Sequence, residues 1–260
     1  MPDSVDRAIA SLRTHHDRLA EVVGTLTTEQ LSGPSAASEW SIAQALSHLG
    51  SGAEIFLPRY AAGIAGEDAP EGNNQAVWAR WDASSSDEQA SGFLEHDERL
   101  VALLEELSPE QRAGLTIDLG FTPEPAPLLQ ALAMRLNEVS LHAWDVLAGL
   151  DETATVDAEA ADLMLEQLAG SLGFLLGWIG KADQVDETAT VDLDGYTLGI
   201  GDGVSLTAGS PDAATATFHG PHEAALRLIA GRLKDGYTPD EVTVSGNIDL
   251  DGLRKAFPGY

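Results

Sequence analysis

Helical spacing of apolar residues constrains the fold of the first 150 residues more than any other feature of the sequence. In four long stretches an apolar side chain recurs every three or four residues, and polar or proline- and glycine-containing segments separate the stretches. A helix with one apolar stripe buries it against another helix. The stretches are Ser4–Val23, 38–60, Asp87–Leu107 and Leu128–Ala148. We therefore predict an all-α four-helix bundle over residues 1–150.

The pattern changes after residue 150. Short runs rich in Val, Thr, Ile and Leu alternate with turn residues, which predicts strands. The predicted strands are Ala189–Leu193, Tyr196–Ile200, Val204–Ala208, Ala214–Phe218 and Val242–Ser245. The predicted helices are Ala158–Ile179, Gly220–Leu233 and Asp249–Phe257. This order predicts a smaller α+β domain over residues 151–260, with a mainly antiparallel sheet.

Composition excludes several classes of function. With 42 acidic and 14 basic side chains the net charge is −28, so we expect neither nucleic acid nor anionic membranes as general partners. Apolar runs are too short to span a membrane and the first residues lack an apolar signal core, so we expect a cytoplasmic protein. The chain has no cysteine, which excludes disulfides, a cysteine nucleophile and thiolate metal ligands.

A candidate metal site involves two of the predicted helices. Glu138 and His142 are four residues apart, which places them on one face of the last predicted helix. Such a pair alone is more often a hydrogen-bonded pair on a solvated face. Once the bundle packs, however, His48 on the second helix can face them, and its neighbours one turn away, Ala45 and Gly52, are small.

Two histidines and one carboxylate leave one coordination position open, which is typical of catalytic zinc, although iron(II) or nickel(II) would also suit. Asp145 follows His142 by three residues and either orients that imidazole or is a surface acid.

The adjacent His15 and His16 point about 100° apart on a helix, so we expect at most one to face the bundle interior. We expect His96, among acidic residues, on a solvated face.

Two motifs carry a family resemblance. The segments WSIAQALSHL (Trp40–Leu49) and NEVSLHAWD (Asn137–Asp145) together resemble the mycothiol-dependent maleylpyruvate isomerase family. The later segments GPHEAALRLIAGRL and VTVSGN resemble the C-terminal domain of that family, which is similar to sterol carrier proteins. The resemblance covers nearly the whole chain and implies a DinB-like metal-binding bundle followed by a sterol-carrier-like domain.

The resemblance also implies site residues and cofactors. His48, Glu138 and His142 match the zinc ligands of the family. Arg232 is the best match to a catalytic arginine that holds the thiol cofactor or the substrate, and Arg227 is the alternative; either could equally be a helix-end arginine facing solvent. The implied cofactors are zinc, or another divalent metal, and mycothiol or a similar low-molecular-weight thiol.

The implied chemistry uses the small-molecule thiol as nucleophile. The expected partners are that thiol and an electrophilic substrate, and the reaction is either cis–trans isomerisation of a maleylpyruvate-type substrate or transfer of the thiol. Two other classes stay open: a non-enzymatic metal- or lipid-binding protein, and a hydrolase that uses metal-bound water. The sequence leaves monomer and homodimer open.

Overall fold

The computed structural model describes residues 3–37, 39–72 and 74–259, and the chain divides into two compact units, Met1–Asp151 and Glu152–Tyr260. Ser38, the first residue of the predicted second helical stretch, lies outside the described residues. Within the described part of the chain, no helix is long and apolar enough to cross a membrane.

The first unit is a helix bundle with a short two-stranded ribbon. Its helices are α1 (Ser4–Val23), α2 (Thr28–Leu31), α3 (Ile42–Ala65), α4 (Asn74–Asp82), α5 (Ser86–Glu105), α6 (Pro109–Gly114) and α7 (Leu128–Ala148). The ribbon pairs β1 (Thr116–Ile117) with β2 (Ala126–Pro127) in antiparallel fashion. The long helices α1, α3, α5 and α7 form the bundle, so the predicted four-helix architecture is confirmed.

Local sequence features favour the start of α3 at Ile42 and allow the helix to pack closely against Trp81. Ser41 accepts a hydrogen bond from the backbone of Gln44, whose side chain accepts one from the backbone of Ser41, so both groups of this capping box are paired. A Cβ added to Gly50 would lie 2.3 Å from the ring of Trp81. The glycine therefore lets this indole lie directly against α3.

The second unit is an α+β fold. Its helices are α8 (Ala158–Leu168), α9 (Leu176–Ile179), α10 (His222–Ile229) and α11 (Leu250–Ala256). Its strands are β3 (Ala189–Asp192), β4 (Tyr196–Ile200), β5 (Val204–Ala208), β6 (Ala216–His219) and β7 (Thr243–Gly246). They form one sheet in the order β5-β4-β3-β6-β7, in which only the β3–β6 pair is parallel. The prediction of a mainly antiparallel sheet is therefore confirmed.

Two predicted helices are too long. The helix predicted over Ala158–Ile179 ends at Leu168, and a 3₁₀ turn precedes the short α9. The intervening segment contains glycines, which have poor helix propensity. The helix predicted to reach Leu233 ends at Ile229, because Gly231 takes the left-handed conformation at φ +69°.

The prediction for His15 and His16 is wrong, since both side chains are buried. Helix α1 packs against both α5 and α7, so a wide arc of its surface is covered. His16 Nδ1 lies 2.9 Å from Asp97 Oδ2 on α5, and His15 Nδ1 lies 2.7 Å from the carbonyl oxygen of Ser11. His96 is only partly exposed and packs edge-on against Trp81, so the prediction of a solvated face is also wrong.

Candidate metal centre

Helices α3 and α7 bring His48, Glu138 and His142 together. One ligand-capable atom from each lies within 4.8 Å of the other two. Glu138 Oε2 is 2.9 Å from His48 Nε2 and 3.8 Å from His142 Nε2. Zinc bound tetrahedrally at about 2.0–2.2 Å needs ligand atoms roughly 3.4 Å apart. The observed separations lie on either side of this value, so the residues fit such an ion.

Asp145 orients one imidazole of the cluster. Its Oδ2 lies 2.8 Å from His142 Nδ1, and the residue is completely buried. An ionised carboxylate only accepts hydrogen bonds, so this contact places a proton on Nδ1 and leaves the lone pair on Nε2 for the cluster. Of the two roles that the sequence left open for Asp145, the structure excludes that of a surface acid.

Trp40 covers both imidazoles, a role that sequence reasoning missed. Its ring centroid lies 5.2 Å from that of His48 and 5.5 Å from that of His142, and it stacks on the latter at 30°. The segment before α3 holds the indole in place, because the carbonyl of Trp40 accepts from the backbone of Ser35 and Ala36 donates to the carbonyl of Asp145. The one available signal was the position of Trp40 within the motif that contains His48.

Electrostatics keep Glu138 in the form that binds a metal. Partial burial raises the pKa of this carboxyl, but the hydrogen bond from His48 and the nearby His142 outweigh burial and lower the pKa to about 2. A weaker hydrogen bond from the side chain of Asn137, at 3.3 Å, acts in the same direction. The carboxylate is therefore anionic at neutral pH.

A cavity of about 410 Å³ opens beside the cluster, with His48 and Glu138 in its wall. Most of its other walls are apolar. The large apolar side chains among them are Ile55, Phe56, Trp78, Leu119, Phe121 and Met134. A space of this size and lining accommodates a small organic molecule next to the cluster.

The model of the mycothiol maleylpyruvate isomerase N-terminal domain matches residues 12–147, which is more than half of the chain. The chain belongs to the mycothiol maleylpyruvate isomerase family. A crystal structure of the mycothiol-dependent maleylpyruvate isomerase is similar to this family member at a TM-score of 0.64, with 17% identity and 95% of each chain covered. A histidine-to-alanine mutant of that isomerase gives a TM-score of 0.64 at 16% identity with the same coverage, and these two likenesses show the shared fold. No curated protein sequence matches this family member.

The two candidate arginines of this family member differ in their surroundings. Arg227 lies in α10 and is almost completely buried, with Nε and Nη2 donating to Glu223 at 2.8 and 2.9 Å and Nη1 donating to the carbonyl of Tyr237. It does not face solvent. Arg232 follows the end of α10, is partly exposed, and donates to the carbonyl of Ala230 at 3.3 Å. A role of either in holding a thiol or a substrate stays a prediction.

Proposed function

We propose that this family member is a zinc- and thiol-dependent enzyme that uses mycothiol or a similar small thiol as nucleophile, either as an S-transferase or as a cis–trans isomerase. The observation that carries the proposal is the cluster of His48, Glu138 and His142 beside a cavity that can admit an electrophile. Membership of the family favours thiol chemistry over the hydrolase and carrier alternatives.

The residues of the chain have distinct parts in this proposal. His48, Glu138 and His142 would hold the ion, and the bond to Asp145 would fix the imidazole of His142 in the tautomer that ligation needs. When bound there, zinc supplies the positive charge that keeps a thiol deprotonated near neutral pH. Trp40 packs on both imidazoles and would limit their movement.

The nucleophile has to come from outside the chain, which contains no cysteine. In a transferase the thiolate sulfur would form a C–S bond with an electrophilic carbon, a neighbouring carbon would take a proton, and the adduct would leave. In an isomerase the sulfur would add to an activated double bond, the resulting single bond would rotate, and elimination would restore the double bond and the thiolate. Both reactions need the same cluster and cavity.

Metal content and thiol dependence test the proposal. Elemental analysis of the purified protein should find about one zinc per chain, and the ion should be lost in His142→Ala. Consumption of an electrophile with an activated double bond should require added mycothiol and stop after chelation. Turnover without a thiol would favour the hydrolase instead, and the absence of metal even after reconstitution would favour the carrier.

Arg232→Ala tests the arginine that the family resemblance selects. If Arg232 holds the thiol or the substrate, the variant should bind zinc normally but need a higher concentration of one of them for half-maximal rate. Unchanged kinetics would remove Arg232 from the site. Arg227→Ala is unsuitable as a parallel test, because it would leave the buried carboxylate of Glu223 without its ion pair.

A further inference from the structure

A second polar site lies in the wall of the same cavity, one turn before Glu138 on α7. Arg135 lines the cavity and is only 6% exposed. Its Nη2 donates to Asp97 Oδ1 at 2.7 Å and to the carbonyl oxygen of Leu49 at 3.0 Å. Asp97 in turn accepts a hydrogen bond from His16. These contacts fix the guanidinium group in place.

The remaining donors of this guanidinium are unused. Nε is buried without a hydrogen-bond partner, and Nη1 makes no hydrogen bond to any described residue. Gly52 also lines the cavity, and a Cβ added to it would lie 3.1 Å from Nη1. The glycine therefore leaves space beside an unpaired, positively charged donor. A charged donor without a hydrogen-bond partner is unfavourable in a largely apolar cavity, so the site favours an acceptor.

Tyr60 supplies a second unused donor in the cavity wall. The residue is 1% exposed, and its hydroxyl has no hydrogen-bond partner among the described residues. Burial raises the pKa of this phenol well above its usual range, although the positive charge of Arg135 opposes the shift. The hydroxyl is therefore protonated, and able to donate, throughout the physiological pH range.

The charges around the cavity define the acceptor. Arg135 is the only lysine or arginine among the described residues that line it, and Glu138 in the metal cluster is the only carboxylate. Most other walls are hydrocarbon or aromatic. A small dicarboxylate would satisfy Arg135 but leave these walls without an apolar partner. A ligand with one carboxylate and an apolar body matches both parts of the cavity.

We propose that the electrophilic substrate is an unsaturated monocarboxylate with an aromatic or aliphatic body, whose carboxylate accepts hydrogen bonds from Nη1 of Arg135 and from the hydroxyl of Tyr60. Calling the ligand a substrate rests on the proposed function, whereas the anion site itself does not. Held at Arg135, the carboxylate lies in the same cavity wall as the cluster that would carry the thiol, one helical turn away. The attached double bond would then lie in the cavity that adjoins the cluster.

Cinnamate and cinnamamide provide a matched pair of probes, because they share the unsaturated aromatic body and differ in the carboxylate. Calorimetric titration of the full-length protein, metal-free and zinc-loaded, should show cinnamate binding about tenfold more tightly, as expected for hydrogen bonds to a charged group. The preference should already be present in the metal-free protein. A preference that requires zinc would place the carboxylate on the ion and overturn the assignment.

Two variants locate the anion site without disrupting the buried ion pair. Gly52→Ala places a methyl group beside Nη1 within a helix and should reduce the preference for cinnamate to nearly one. Tyr60→Phe removes a hydroxyl that has no partner in the structure and should reduce the preference about threefold. Gly114→Ala is the control, since a Cβ there would contact nothing within 4 Å, and it should bind both probes like the wild type.

Four further results would overturn the proposal. Equal binding of the two probes by the wild type would exclude a carboxylate site, and so would the absence of binding by either probe. If Gly52→Ala keeps the preference for cinnamate, Arg135 does not bind the carboxylate. If Tyr60→Phe keeps it, the hydroxyl of Tyr60 is not a second donor. Because binding to the metal-free protein involves neither zinc nor thiol, failure of the proposed enzymatic function would leave this test intact.

Discussion

Replacing Asp145 with Asn tests how the bundle prepares His142 for a metal. The substitution keeps the size of the side chain and retains an oxygen that can accept from Nδ1, but it removes the negative charge. Asp145 is fully buried and its contact with His142 Nδ1 is 2.8 Å, so little solvent screens the charge. Removing comparable partners of metal-bound histidines lowers metal affinity by about 10–100-fold, which corresponds to about 1.4–2.7 kcal/mol.

The assay is a competitive zinc titration against a chromophoric chelator. Asp145→Asn should show the expected loss of affinity while still binding one ion per chain, and His142→Ala should show a much larger loss. Asp17→Asn is the matched control, because it removes the same charge from an exposed position on α1. Zinc affinity equal to that of the wild type would refute the reasoning. Thermal unfolding of the metal-free proteins would show whether a lower affinity instead reflects a damaged fold.

Three further predictions follow from other contacts. His48→Ala should reduce zinc occupancy, measured by elemental analysis, with little change in the unfolding temperature, because this side chain is 40% exposed; full occupancy would remove His48 from the site. Asp97→Ala should lower the free energy of unfolding in urea by about 3–5 kcal/mol, because it leaves Arg135 buried without its ion pair; a loss below about 1 kcal/mol would contradict this. Finally, burial lowers the pKa of His222, but the contacts that raise it, led by the hydrogen bond to Asp162, together outweigh burial, so the pKa in the folded state lies above the ordinary value of 6.5. The pair therefore stabilises the fold fully at a pH below that ordinary value, and its contribution is lost as the pH rises through the folded-state pKa. The unfolding temperature of the wild type should therefore exceed that of Asp162→Asn at pH 5.5, and the difference should shrink by pH 8.5; a difference independent of pH would contradict the assignment.

The helices of the bundle could be predicted because their signals are local. Apolar spacing and the capping box at Ser41 depend on residues within one or two turns, and both appear in the structure at the expected places. The errors arose where distant contacts or backbone geometry decided the outcome. His15 and His16 are both buried because α1 lies between two neighbouring helices, which no spacing within α1 reveals.

In the candidate site, too, local features could be predicted and features that depend on packing could not. The sequence by itself determined that Glu138 and His142 share a face of α7, since a spacing of four residues is nearly one helical turn. The predicted packing of the bundle, together with the family resemblance, made His48 the third candidate ligand. The sequence did not determine that Asp145 is buried behind the imidazole of His142, or that Trp40 covers the imidazoles of both His48 and His142.

Only the tertiary structure decided the distances across the bundle. His48 Nε2 and Glu138 Oε2 lie 2.9 Å apart although 90 residues separate them in the chain, because α3 and α7 pack side by side. The same packing leaves Nη1 of Arg135 beside Gly52 without a hydrogen bond to any part of the chain that the structure describes, and it forms the cavity next to the cluster. A sequence specifies which side chains share one helix face through local backbone geometry. Which faces meet, and which donors stay unpaired between them, depends on how the helices pack.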